Sequence, residues 1–71
     1  MILELNDKIH DLEQIFPELR YGQCVFMALS SMSPKGAEDV MGTDLDPFEW
    51  KLNDDRFIKF WDWFMETYES D

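Results

Sequence analysis

Asp55, Asp62, Glu66 and Glu69 follow one another at steps of seven, four and three residues. At about 100° per residue these steps bring all four carboxylates to one side of a helix, together with Lys59. Carboxylates in a line are suited to one kind of chemistry, the acceptance of charge-assisted hydrogen bonds from lysine and arginine. Side chains one turn apart are separated by about 6 Å along the axis. Phosphates advance about 3.4 Å each along a DNA strand, so the line imitates roughly every second phosphate. Trp63 falls by angle between this line and an apolar stripe, where aromatic anchors of protein interfaces are found.

Local helix stability does not account for the acids. Asp55 and Lys59 form an expected i,i+4 pair, but Asp62 and Glu66 are like charges at the same spacing. Glu66, Glu69 and Asp71 crowd the negative end of the helix dipole, where bases are preferred. The competing expectations are that the charge serves solubility and that Trp63 packs on the 33–52 segment.

Other chemistries find little support. His10, the one histidine, and Cys24, the one cysteine, carry no motif that would organise them as base and nucleophile. Cys24 stands in the apolar run "CVFMAL" and reads as a small core residue. No Cys/His spacing fits zinc, "GTDLDPFE" lacks the pattern of a calcium loop, and the glycines are isolated. Neither catalysis nor a cofactor or metal is expected.

The whole composition points the same way. Sixteen acids against six bases give 71 residues a formal net charge of −10. Such charge disfavours nucleic acid and anionic membrane as direct partners and favours something basic. With 45% hydrophobic and 15% aromatic residues, the chain has material for one small core. A lone cysteine excludes an internal disulfide, and "MILELNDKIHD" has neither the basic start nor the apolar stretch of a signal peptide. No stretch reaches a membrane span, so a cytoplasmic protein is expected.

The elements that must carry these residues are helical. Leu5, Ile9, Leu12 and Phe16 share one face of a short first helix, opposite Glu4, Asp7, Asp11 and Gln14, with Asn6 as N-cap and Pro17 as its end. "PELRYGQCVFMALSSM" predicts a second helix over about 17–32, in which Gly22 is a weak point unless another backbone packs against it. Residues 33–52 are rich in turn chemistry, with a turn of helix expected around 37–41 and an extended "FEWKL" laying Phe48 and Trp50 on the helices. From Asn53, as cap, the last helix carries Phe57, Phe60, Trp61, Phe64, Met65 and Tyr68 on a wide apolar stripe.

"FPELRYGQCVFMAL" followed by "DLDPFEWKLNDDRFIKF" resembles short bacteriophage-type acidic helical proteins. The likeness spans about residues 16–64 and rests on Pro17, Arg20, Gly22, Gln23 and Phe48. It transfers no catalytic residue. It implies a phage product in a bacterial cytoplasm, of a kind that inhibits host machinery.

The sequence therefore predicts a single all-α domain over 1–71, with two longer helices, one short helix and an irregular aromatic loop. Its expected core is Ile9, Leu12, Phe16, Leu19, Val25, Phe26, Leu29, Phe57, Trp61, Phe64, Met65 and Tyr68. A homodimer is open to it, given so many aromatics. The leading expectation is a non-enzymatic inhibitor or modulator that occupies the basic site of a host nucleic-acid-binding protein. Asp55, Asp62, Glu66 and Glu69 would form its contact face and Trp63 its anchor. The alternative is an adaptor that docks through exposed aromatics, its charge serving solubility.

Overall fold

The apolar spacing that predicts the first helix does produce one, over a longer span. In a computed structural model that describes residues 1–69, α1 covers Ile2–Ile15 and buries Leu5 and Ile9. It starts ahead of Asn6 because the Leu5 amide already donates to the Met1 carbonyl at 2.9 Å. Glu4, Asp7, Asp11 and Gln14 are exposed, as their spacing requires. Pro17 ends the helix, and Phe16 turns away from the core to become exposed, contrary to its expected burial.

The chain then spends Pro17–Arg20 in a turn, so α2 covers Tyr21–Met32 rather than beginning at the proline. Gln23 fixes that start, its Oε1 accepting from the Arg20 amide at 3.0 Å. Cys24, Val25, Ala28 and Leu29 are buried, and α1 packs against this helix. Ser33 caps α3, Pro34–Val40, by accepting from the Gly36 amide at 3.1 Å, and Pro34 suits the first position. The expected turn of helix near 37–41 is thus a full short helix that buries Ala37 and Val40.

Residues 41–56 run as successive turns, with no strand among the described residues. Gly42 takes a φ of +75°, which favours glycine. Trp50 is buried, but Leu52 points to solvent. Helix α4, Phe57–Phe64, begins four residues after Asn53, because 3₁₀-type bonds at 3.1 Å from Phe57 to Asp54 and from Ile58 to Asp55 occupy the expected first turn. It buries Phe57, Phe60 and Phe64. The chain closes with one π-helical turn, Met65–Glu69.

One apolar cluster joins all four helices to Trp50. Met65 is 44% exposed and lies outside it, a correction to the expected stripe, since Phe57, Phe60 and Phe64 already centre the buried face. Leu5, Cys24, Ala28, Ala37, Val40, Trp50 and Phe60 complete the core. Leu12, Leu19, Phe26, Trp61 and Tyr68 pack at its edge.

Candidate protein-interaction surface

The turn before α4, α4 itself and the π turn after it place the predicted acids in two different settings. Asp55, Asp62 and Glu66 are exposed, and their carboxylates have no ion pair or hydrogen bond among the described residues. The expected Asp55–Lys59 pair does not form, leaving both groups to solvent. Glu69 behaves otherwise. Its carboxylate lies 2.7 Å from the Met1 ammonium and accepts from the Ile2 amide. The same ammonium is 2.8 Å from Glu4.

These bonds hold both carboxyls below their ordinary range, first through the hydrogen bond to the ammonium, and raise the ammonium in turn. Glu69 therefore has a structural reason that helix rules alone miss: it meets the positive end of α1. The π turn explains how it gets there. Bonds to the fifth residue rather than the fourth rotate the chain more slowly, so residues after Met65 leave the α-helical phase. Glu69 swings off the line of Asp62 towards α1. Asp71 lies outside the described residues.

Trp63 is half-buried, and its neighbours are aromatic. Its ring meets Phe60 at 5.7 Å, Tyr68 at 5.9 Å and Phe64 at 6.4 Å. Tyr68 in turn bonds Ser33, hydroxyl to hydroxyl, at 3.0 Å, which fastens the π turn to the cap of α3. Trp63 thus stands on a rigid base at the edge of the exposed acids, one part of its ring open to solvent.

Lysines and arginines are deployed singly. Arg20 pairs with Glu49 at 2.9 Å, tying the loop to the start of α2. Arg56 is held by Asp54 through Nε at 2.9 Å and Nη2 at 2.6 Å, and its guanidinium lies 5.0 Å over the Trp50 ring. The Arg56 side chain, and after it the Arg56 amide, hold the Asp54 carboxyl down to about 2. The sign follows directly. A carboxyl depressed on folding contributes stability above its unfolded pKa, near 4, which is lost as pH falls through about 2. Parent and Asp54→Asn are therefore expected to differ in urea midpoint at pH 5, with the difference closing between pH ~4 and ~2. A difference that stays constant over that window would remove Asp54 as its source.

The remaining chemistry is sparse. Cys24 is fully buried, and burial, followed by Glu13 and Glu18, pushes its thiol up, while His10 is exposed. A buried, protonated thiol is a poor nucleophile. Among the described residues no three His, Cys, Asp or Glu side chains converge as a metal site, and no helix is long and apolar enough to cross a membrane.

Sequence reasoning missed an open groove of about 750 Å³ between the 41–50 turns and the start of α4. Phe26, Phe48 and Trp50 line it, as do Asp44 and Lys59. The alternation in "FEWKL" was the available signal, since it set Phe48 and Trp50 on one side. Comparisons with protein families, with characterised proteins and with solved structures find no match to this chain.

Proposed function

We propose that this protein is a non-enzymatic, acidic protein-binding module that engages the basic site of a nucleic-acid-binding protein. The bacteriophage-type resemblance extends the proposal to an inhibitor or modulator of a bacterial host protein. The observation that carries it is the exposed set Asp55, Asp62 and Glu66, which no base of the described chain neutralises, on a chain of net charge −10. Asp62 on α4 and Glu66 on the π turn are about one turn apart, on the order of two phosphate steps of a DNA strand. Held on α4 and on the π turn, they meet lysine and arginine with little ordering cost, and the field of the whole chain speeds encounter. Trp63, beside them on its aromatic base, supplies the apolar contact. Glu69 is left to its pairing with α1 and is not assigned to the contact face.

The test is capture from bacterial lysate on the immobilised protein at about 50 mM and about 500 mM salt. A DNA-binding protein held only at low salt, and displaced by duplex DNA, is the expected result. The triple variant Asp55→Asn, Asp62→Asn, Glu66→Gln is expected to bind that protein about tenfold more weakly and to melt at the parent temperature. Tenfold corresponds to about 1.4 kcal/mol spread over three exposed pairs. Unchanged affinity in the triple variant would remove the face. Capture that persists at high salt would favour docking through aromatics instead.

A further inference from the structure

The groove beside α4 has a floor of the wrong character for solvent. Phe48 packs edge-on against Phe26 at 5.8 Å and yet remains 39% exposed, and Met41 at the rim is more open still. A volume of about 750 Å³ is far more than one side chain needs to relax into, and lies in the range of built ligand sites.

Its charges are unevenly committed. Arg56 is consumed by Asp54 and the Trp50 ring, and Glu49 by Arg20. Asp46 accepts from the Gly42 amide at 2.8 Å and the Phe48 amide at 3.1 Å, so its negative charge is fixed in place without a counter-ion. Asp44, on the same wall, has no partner among the described residues. The loop wall therefore carries two carboxylates without a base, next to an open aromatic floor. Across the groove, Lys59 is the one uncommitted cation.

We infer that this groove takes a bulky apolar side chain of the partner, flanked by lysine or arginine. The apolar group lies on Phe48 and Phe26. The flanking base meets Asp44 and Asp46, and Lys59 on the far wall is placed for a main-chain carbonyl of the same segment. The inference rests on the basic-partner reading, and it adds an apolar pocket whose lining includes Arg56, the residue after Asp55.

The experiment uses the full chain, labelled with ¹⁵N, and three capped peptides at about 50 mM salt: Lys-Lys-Trp-Lys-Lys, Lys-Lys-Ala-Lys-Lys and Glu-Glu-Trp-Glu-Glu. The basic tryptophan peptide is expected to shift the Gly42, Thr43 and Phe48 amides and to bind at least tenfold more tightly than the other two. Phe48→Ala, an exposed position, is expected to remove that advantage, and Asp44→Asn to reduce it. Equal binding of the two basic peptides, with shifts on Asp62 and Glu66, would overturn the groove while leaving charge-driven binding intact. Equal binding of the acidic tryptophan peptide would overturn the basic flank. Silence of all three would overturn the inference outright, and the lysate capture then judges the basic-partner reading separately.

Discussion

Gly22→Ala is expected to destabilise this protein by about 3 kcal/mol, although alanine is the better helix former. Gly22 is the second residue of α2, and its amide is one of the donors that a helix start leaves unpaired. It donates instead to the Trp50 carbonyl at 2.9 Å. A Cβ at this position would come within 1.9 Å of the Pro47 carbonyl oxygen and 2.5 Å of that of Trp50. Both are backbone atoms of one turn, in which Trp50 donates to Pro47 at 2.9 Å, so neither yields without moving the loop. Overpacking costs roughly 3 kcal/mol here and the broken buried hydrogen bond about 1 more, against about 1 gained in helix propensity.

Thermal unfolding followed by circular dichroism reads the result, about 4–8 °C per kcal/mol for a domain this small. Gly42→Ala is the control. Its site is open to solvent but has φ +75°, which costs about 1 kcal/mol. A Gly22→Ala protein melting at or above the parent temperature would show that the loop does not press on α2.

Trp50→Ala is expected to cost about 4 kcal/mol, enough to remove much of the roughly 4–10 kcal/mol that a chain of this length holds. Trp50 is 3% exposed although it lies in a turn. Its ring stands perpendicular to Phe57 at 5.1 Å and to Phe60 at 6.3 Å, and carries Arg56 on its face. Truncation removes these contacts and opens the groove into the core. Trp50→Phe keeps a ring and is expected to lose only about 1 kcal/mol. The ordering parent, Trp50→Phe, Trp50→Ala in urea midpoint is the measurement, and a Trp50→Ala chain as stable as the parent would remove this residue from the core.

These two positions also show how far the sequence could be read. A glycine inside a helical pattern signalled a close backbone, and the structure supplies one, but no pattern named Trp50 as its source. The residues of the phage-type resemblance prove to be joinery. Arg20 grips Glu49, Gly22 admits the loop, Gln23 caps α2, and Phe48 leans on Phe26. Periodicity placed Ile9, Val25, Leu29, Phe57 and Phe64 correctly in the core. It failed where the helical repeat itself changes, at Met65, and where the chain leaves a helix, at Phe16. Asp62 was legible as an exposed acid because α4 fixes its side, whereas Asp55, in the turn before α4, and Glu66, in the π turn, are exposed as expected without lying in an α-helix. Glu69 was not legible, because its partner is at the other end of the chain. Of the groove only the pairing of Phe48 with Trp50 was legible, since α2, α4 and the 41–50 turns meet there only after folding.

The π turn that closes the fold sets a rule about chain length as well as about contacts. Over Met65–Glu69 the backbone carries about one residue more than an α-helix would use for the same rotation. Deleting a residue there, without altering any other, lets the segment relax to an ordinary helix. Tyr68 and Glu69 would then keep close to their present directions, towards Ser33 and the start of α1, because the residue lost is the surplus one. An insertion, which no such relaxation absorbs, would instead carry both away from those partners. The tail thus works as a vernier: the number of residues, more than their identity, decides which side chains reach back to the rest of the molecule.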